Sequence, residues 1–335
     1  MNRIRLIAIL MFIPAICLPA GVQNIETIQG RSIADIIEKS NVFIKTMEDI
    51  EWIDDSLFLL DTDNGQIIEI NLASGKQQSI ISRKGQGPHE LMSPCRIRIR
   101  NNKIFILDRG NRALKIFDLS GNFISQFKCA AFNNPYFYRS FDVNQRDEIY
   151  FPEVNGLKGT LVGVYSLSGE KLRELVFCAI DDKDLLAYVN RSNYGIGIDS
   201  EGEFYLIFPL LHELWRCTKD GEVLWKNNID NVLLKKAPEK GGARIDKKGR
   251  LSWGGFMRGM EITPDGKALI GHFGGGCLVN KQGVVERVMN IQTWDEEKKI
   301  WRTVGLSVYR IKGGKIIGAP LGQSFWLQIF PMDVR

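Results

Sequence analysis

The chain has 335 residues, enough for one large β domain or two ordinary ones, and its 44% hydrophobic and 25% charged content is typical of a globular protein with a substantial core. A net charge of +5 is mild and gives no support for nucleic-acid binding. No segment reaches the roughly 18 consecutive apolar residues that a membrane-spanning helix needs.

The first twenty residues have the pattern of a secretory signal peptide. Two arginines supply positive charge, Leu6–Ile16 is an apolar run, and Ala20 is a small residue at a cleavage point. We therefore predict a signal peptide over residues 1–20 and export to the periplasm or the extracellular space. Its removal takes away two arginines and no acidic residue, so the net charge falls from +5 to +3. Lipid anchoring at Cys17 is the less favoured alternative, because Ile16 is not the small residue that lipidation requires.

Five cysteines remain beyond the predicted signal peptide, namely Cys95, Cys129, Cys178, Cys217 and Cys277. An odd number without CxxC spacing differs from the even set of an exported disulfide framework. Most of them lie in apolar strand patterns, which favours buried free thiols over disulfides.

The segment Arg83–Lys128 contains one complete structural unit. Its four short alternating stretches are CRIRIR, KIFILD, RALKIFD and FISQFK, and tight turns rich in Asn and Gly join them. Short alternating runs separated by such turns predict a four-stranded antiparallel meander.

Weaker copies of this unit fill the rest of the chain, and two turns mark them. The turn before the last strand recurs five times, at residues 73–76, 119–122, 167–170, 218–221 and 281–283. The turn between the first two strands recurs six times, at residues 54–55, 101–102, 145–147, 199–202, 264–266 and 312–314. Gly, Asn and Asp recur there because such turns need positive φ.

Six units of four strands predict an all-β fold, a single six-bladed β-propeller over residues 21–335. The sixth unit has only three strands before the chain ends, so the N-terminal segment Ile33–Thr46 is predicted to supply its fourth strand and close the ring. An amphipathic helix over Ser32–Ser40 is the competing interpretation for part of that segment. The connections 179–194 and 229–256 are much longer than the others.

The repeat resembles the NHL-type propeller repeat in Asp108-Arg109-Gly110-Asn111-Arg112, followed by Ile116-Phe117 and Ser120-Gly121. The loop Gly85–Glu90 also resembles the glycine-proline-glycine-glutamate loop of exported bacterial six-bladed propellers, with His89 where that family has glycine. The resemblance implies the fold strongly and an activity hardly at all, because propellers host many unrelated functions.

Blade geometry separates the loops into two faces. The connection between the second and third strands emerges on the same face as the connection to the next blade, and we expect function on these variable loops. The candidate ligand-binding residues there are His89, Glu90, Arg109, Asn111 and Arg112. Arg109 and Arg112 could present guanidinium groups to a carboxylate or phosphate. The alternative, which we favour, is that Asp108 and Asn111 brace the turn while the arginines cap neighbouring strands.

Metal sites are weaker candidates. His89, His212 and His272 all map to the same face and could hold zinc, but they come from three different blades and lack metal-ligand spacing. Asp61 and Asp63 could contribute oxygen atoms to calcium, which needs six or more. Glu51 resembles the metal-ligating glutamate of gluconolactonase-like propellers, without the matching motifs further along. We therefore expect no cofactor.

The sequence favours an exported binding or scaffold module for a peptide, a glycan or a partner protein. It contains no Ser/His/Asp set with an elbow motif and no dinucleotide fingerprint. The alternative is a metal-dependent hydrolase or lyase, similar to lactonases, with its site at the mouth of the channel.

Overall fold

The computed structural model describes residues 25–29, 31–32, 40, 42–128, 140–155, 159–177, 194–229, 242–245, 251–254, 257–272, 275–295, 298–303, 306–312, 314–320 and 328–331. The predicted signal peptide with Cys17, residues 33–39 of the predicted helix, Cys129, Cys178 and most of both long connections lie outside these residues. No helix among the described residues is long and apolar enough to cross a membrane.

The N-terminal segment and the first two blades contain twelve strands. The N-terminal segment forms β1 (Ile25–Gln29) and β2 (Arg31–Ser32). Blade one consists of β3 (Met47–Ile53), β4 (Ser56–Asp61), β5 (Gln66–Asn71) and β6 (Gln77–Ile81). A short parallel pair, β7 (Arg83–Lys84) and β8 (Glu90–Leu91), precedes blade two, which consists of β9 (Pro94–Arg100), β10 (Lys103–Asp108), β11 (Ala113–Asp118) and β12 (Phe123–Lys128).

Blades three and four follow the same order and precede a hairpin. Blade three consists of β13 (Asp142–Val143), β14 (Ile149–Asn155), β15 (Thr160–Tyr165) and β16 (Lys171–Phe177). Blade four consists of β17 (Gly195–Ile198), β18 (Phe204–Phe208), β19 (Glu213–Cys217) and β20 (Val223–Asn228). The hairpin pairs β21 (Gly242–Ile245) with β22 (Leu251–Gly254).

The last two blades incorporate the N-terminal strands. Blade five consists of β23 (Met257–Ile262), β24 (Ala268–His272), β25 (Gly275–Val279) and β26 (Val285–Asp295), extended by β27 (Ile300–Thr303) and by β1, which pairs with β26 in parallel. Blade six consists of β28 (Leu306–Lys312), β29 (Lys315–Pro320) and β30 (Gln328–Pro331), and β2 is its antiparallel fourth strand.

These sheets form a closed ring. The first strands β3, β9, β13, β17, β23 and β28 contact one another in that order, and β28 contacts β3 again. Among the described strands, the blades are five four-stranded sheets and one six-stranded sheet, and the pairs β7–β8 and β21–β22 are two further sheets. The predicted all-β six-bladed propeller is confirmed, as is its closure by an N-terminal strand.

The residues that close the ring differ from the predicted segment Ile33–Thr46. Arg31 and Ser32 pair with Ile329 and Gln328 of β30, just before that segment. The end of the predicted segment is held on blade one instead, because the backbone N–H groups of Lys45 and Thr46 donate to the carboxylate of Asp61 at 2.8 and 3.1 Å.

The hydrophobic core is divided among the interfaces between adjacent blades. Middle strands are covered on both faces, so β10 carries a continuous buried run from Ile104 to Leu107. The outer strands β12 and β20 are covered on one face and alternate half-buried and exposed residues. Cys95, Cys217 and Cys277 are buried free thiols, and burial raises the pKa of both Cys217 and Cys277 to about 12.

The recurrent glycine before the fourth strand has a packing role as well as a conformational one. Gly169 has φ of 84°, and a Cβ atom there would lie 2.4 Å from the Cβ of Phe127 in the outer strand of the preceding blade. Gly121, Gly221 and Gly283 likewise meet the outer strand of the preceding blade, so a larger residue at these turns would push two blades apart.

The channel is filled by a charged network. Its members are four arginines and four carboxylates from the first strands of five blades: Arg96, Arg98, Arg100 and Arg310 with Asp49, Glu51, Asp142 and Glu261. The charges balance at four of each sign. Arg98 and Arg310 are 1% and 3% exposed, and all four carboxylates are buried, whereas Arg96 and Arg100 are partly exposed. Burial lowers the pKa of Arg98 to about 10, with the nearby positive charge of Arg310 acting in the same direction.

Two of the carboxylates also connect neighbouring blades through the backbone. Asp49 of blade one accepts the N–H of Ile97 in blade two at 3.0 Å, and Asp142 of blade three accepts the N–H of Ile198 in blade four at 3.0 Å. A first strand is the edge of its sheet, and its inward N–H groups need partners. Asp49 and Asp142 therefore bind N–H groups of the edge strands and also neutralise the arginines.

We expect Asp49→Asn to cost roughly 3–5 kcal/mol at neutral pH, because it removes the carboxylate that Arg96 and the buried Arg310 both contact and unbalances the network. Burial opposes ionisation of Asp49, but Arg310, Arg96 and Arg98 together hold its pKa below the ordinary value. The stability from this lowered pKa is present above the unfolded pKa and is lost as pH falls through the folded pKa. Urea unfolding below about pH 4 should therefore show a steeper loss for the wild type than for Asp49→Asn.

A control variant is Asp147→Asn, which removes the partially exposed ion pair with Lys103. Such pairs contribute at most about 1 kcal/mol. Parallel stability curves for the wild type and Asp49→Asn across the acid range would contradict the role assigned to Asp49.

Candidate functional site

Two neighbouring loops hold all five of the predicted ligand-binding residues. They are residues 83–91, between blades one and two, and residues 109–112, between β10 and β11. We call them together the basic platform. Asp108 joins the ends of the two loops. Its carboxylate accepts the backbone N–H groups of Met92 and Ser93, which follow the first loop, both at 2.9 Å, and that of Gly110 in the second loop at 3.2 Å.

Asn111 fastens the two loops to each other. Its Nδ2 donates to Asp108 Oδ2 at 2.7 Å and to the carbonyl of Gly85 at 3.2 Å. This side chain is therefore engaged in bracing the turn, and its contribution to a ligand site is to fix the position of the loop beside it.

Lys115 anchors the first loop from below. This lysine of β11 is fully buried, and its Nζ donates to the carbonyls of Gly87 at 2.6 Å and Glu90 at 2.5 Å. Burial lowers the pKa of Lys115, and the negative charges of Asp108 and Glu90 oppose that shift. A buried ammonium group that binds two backbone carbonyls immobilises the loop.

Glu90 closes the loop on its outer side. Its carboxylate accepts the N–H of Gly87 at 2.9 Å and Nε of Arg83 at 3.0 Å, and these contacts lower the pKa of Glu90. A Cβ atom on Gly85 would lie 2.0 Å from Glu90 Oε2, so a larger residue at position 85 would displace the Glu90 side chain. Glu90 is thus a structural member of the platform.

The remaining platform side chains face solvent and are mostly basic. Arg83, His89, Arg109 and Arg112 are exposed. Residues 82–83, 87–90 and 121 line an open cavity of about 510 Å³. The His89 ring lies 5.6 Å from the ring of Phe123, and Arg109 Nη2 donates to Ser93 Oγ at 3.3 Å. The platform thus presents cationic groups on a fixed backbone.

Arg112 and His212 share a backbone role. Each immediately precedes the third strand of its blade and has a positive φ, 50° for Arg112 and 55° for His212, as do Gly65 and Gly159 at the equivalent positions. His212 is buried in blade four, whereas Arg112 is exposed. The turn conformation thus places His212 where blade two has Arg112.

The described side chains bring neither His89 nor His212 into a group of potential metal ligands. The one such group within the described residues is Asp199, Glu201 and Glu203, whose ligand atoms lie within 4.8 Å of one another. Protein cations already contact it, because Lys281 Nζ lies 2.8 Å from Glu201 and Arg216 contacts the other two carboxylates. His272 ends β24, and its side chain is outside the described set.

The proposed calcium ligand Asp61 is surrounded by donors. It accepts the N–H groups of Lys45, Thr46, Asp63 and Asn64, and also Asn64 Nδ2 at 2.8 Å. This repeats the arrangement around Asp108, which braces the loop of the next blade. A carboxylate whose oxygens are turned towards N–H donors is arranged for bracing rather than for a cation.

The channel network went unrecognised in the sequence. Glu51, which resembles a metal-ligating glutamate, lies within it and contacts Arg98 and Arg310 at 3.4 and 3.2 Å. The available signal was the alternation of arginine with isoleucine in CRIRIR, since an inner strand that places arginine at every second position must direct those side chains to one face.

We expect Lys115→Met to loosen the platform while preserving the volume of the buried side chain. The change removes the two hydrogen bonds to loop carbonyls, and charged hydrogen bonds contribute about 1.5–3 kcal/mol each. Hydrogen–deuterium exchange of a peptide covering residues 82–92 should become faster. Lys103→Met is the matched control, because Lys103 Nζ bonds Asp147 at 2.8 Å instead of the loop. Unchanged exchange in Lys115→Met would show that the loop is held by other contacts.

Several solved structures have the same fold at low sequence identity. A catalytically inactive virginiamycin B lyase from Staphylococcus aureus has 11% identity and a TM-score of 0.54, covering 91% of this chain and 99% of that one. The calcium-binding protein regucalcin from Agrobacterium tumefaciens has 10% identity and a TM-score of 0.52, covering 92% and 95%. A candidate exported protein from Bacteroides fragilis has 11% identity and a TM-score of 0.51, covering 83% and 80%.

These structural similarities show only the fold, because a sequence identity near 10% does not establish a shared activity. Among curated proteins, none matches this sequence. A family described as 6-bladed beta-propeller matches residues 38–225, which is more than half of the chain and includes blades one to three and most of blade four. The chain belongs to this family of six-bladed β-propellers.

Proposed function

We propose that this protein is an exported, non-catalytic binding module and that an acidic segment of a partner protein docks on the basic platform. The observation that carries the proposal is the combination of exposed guanidinium groups with an immobilised backbone. Arg83, Arg109 and Arg112 are exposed, while Lys115 and Asn111 hold the loops beneath them.

This combination suits recognition of carboxylates. Guanidinium groups bind carboxylates through paired hydrogen bonds, and an immobilised loop loses little entropy when a ligand binds. Glu90 is occupied by Arg83 and Gly87, so it competes weakly with an incoming acidic ligand for Arg109 and Arg112. Export is supported by the N-terminal sequence pattern and by the similarity to a candidate exported protein.

The channel network also favours binding over catalysis. The four channel carboxylates contact four arginines, so their charges are compensated within the protein. A metal-dependent hydrolase or lyase at the channel mouth is the competing hypothesis, and its support is the shared fold of structural neighbours that include lyases.

We expect a fluorescein-labelled peptide of eight glutamates to bind the purified protein with an affinity that falls as salt rises. The double variant Arg109→Ala/Arg112→Ala should bind about tenfold more weakly, since each exposed charge pair contributes roughly 0.7 kcal/mol. Fluorescence anisotropy measures both affinities. Lys76→Ala is the matched control, because Lys76 is an exposed lysine in a turn of blade one outside the platform. Equal affinities for wild type and the double variant would place the docking surface elsewhere.

We expect elemental analysis of the purified mature protein to find neither zinc nor calcium at one ion per chain, because the proposed binding module needs no metal. Uptake should also be absent after incubation with either ion and dialysis. A stoichiometric ion would favour the channel enzyme and direct mutagenesis to His89, His212 and His272. That result would contradict the proposal of a non-catalytic binding module.

A further inference from the structure

Blades three and four carry a tyrosine at the same structural position, and the two hydroxyl groups have different hydrogen-bond partners. Tyr150 is the second residue of β14, and Tyr205 is the second residue of β18. The hydroxyl of Tyr205 donates to the carbonyl of Gly266 in the first turn of blade five at 2.7 Å. In blade four, therefore, the next blade takes the phenolic proton.

The hydroxyl of Tyr150 acts only as an acceptor within the described structure. It accepts Arg173 Nη2 at 3.0 Å and Asn144 Nδ2 at 3.5 Å, and no hydrogen bond among the described residues takes its proton. Tyr150 is 1% exposed. A buried hydroxyl normally uses its donor as well as its lone pairs, and leaving that donor unused is costly.

A cavity lies where the partner of Tyr150 would be expected. The residue of blade four that is equivalent to Gly266 is Gly202, as both occupy the same place in the first turn of a blade. Gly202 and Tyr150 both line a cavity of about 390 Å³ between blades three and four. This volume falls within the range of about 300–1,000 Å³ that is typical of small-molecule sites.

The charges around the cavity balance. Three cations and three carboxylates line it, namely Arg146, Arg173 and Lys219 with Glu148, Glu201 and Asp220. Arg173 holds Glu148 through two hydrogen bonds of 2.8 and 2.7 Å, and Lys281 lies 2.8 Å from Glu201. The lining therefore offers both donors and acceptors without favouring a ligand of either charge.

From this geometry we propose that the cavity between blades three and four binds a small neutral polyhydroxylated molecule, a mono- or disaccharide, with one of its oxygens accepting the Tyr150 proton. Sugar hydroxyls both donate and accept, so they match a balanced polar lining better than an acid or an amine does. The site is separate from the basic platform, because the two share no lining residue.

The test uses the full mature chain and a panel of glucose, galactose, mannose, N-acetylglucosamine, lactose and maltose, titrated by calorimetry. At least one of these neutral sugars should bind. Tyr150→Phe should weaken that binding about tenfold, as expected for the loss of one hydrogen bond to a buried group. Blade two has Phe105 at the equivalent position, fully buried, so the fold accepts phenylalanine there.

Two further variants make the result specific. Tyr205→Phe is the control and should leave the affinity unchanged. Gly202→Asn should abolish binding by filling the cavity, since Asn tolerates the φ of 85° and a Cβ atom there meets only Lys219 at 3.9 Å.

Three outcomes would overturn the inference. The first is that no sugar of the panel binds. The second is equal affinity in the wild type and Tyr150→Phe. The third is that galacturonate or glucosamine binds tenfold more tightly than every neutral sugar, which would show that the cavity selects a charge.

Discussion

The balanced ionic network in the channel is the constraint on which the rest of this propeller depends. Six first strands meet around one axis, and each is a sheet edge whose inward groups must be satisfied. Asp49 and Asp142 do this by accepting backbone N–H groups of the following blade while they neutralise the arginines of the network. Desolvating eight charges is costly, so the network stabilises the ring only when its members are complete.

The axis is filled by internal ion pairs, and neither of the two cavities described above is lined by a residue of that network. The basic platform is built on blades one and two, and the second cavity lies between blades three and four. Both owe their geometry to polar side chains that hold loops or turns in place. Lys115 does so for the first and the Arg173–Glu148 pair for the second. A rigid ring with variable connections allows two such sites to differ without disturbing each other.

Much of the fold could be predicted from Arg83–Lys128, because tight turns and alternating strands are local properties of sequence. Ring closure by an N-terminal strand followed from the missing strand of the sixth unit. Its location at Arg31–Ser32 did not, since two residues carry no detectable periodicity and pairing was decided by residues near the other end of the chain. The parallel addition of β1 to blade five escaped prediction for the same reason.

The candidate site was predictable in part. The loop residues were identifiable from unusual composition, but the roles of Asn111 and Glu90 as braces depend on contacts with Gly85 and Gly87 that only the folded loop creates. The role of Lys115 as a buried anchor could not be predicted from the sequence, because a lysine in a strand pattern is normally exposed. The unused donor of Tyr150 was equally unpredictable, because Tyr150 lacks the hydrogen bond that Tyr205 donates to the neighbouring blade, and only the folded structure shows that bond.

The seam between β2 and β30 has a consequence for how the chain reaches its native state. Arg31 pairs with Ile329, so the ring cannot close until both of these distant segments have been synthesised. The other blades can form from contacts that are local in sequence, whereas β2 stays unpaired until β30 is available. Non-local pairing of this kind makes closure the slow step and leaves β30 as an open sheet edge until β2 pairs with it. A propeller with such a seam is therefore most vulnerable to aggregation and proteolysis just before β2 and β30 pair.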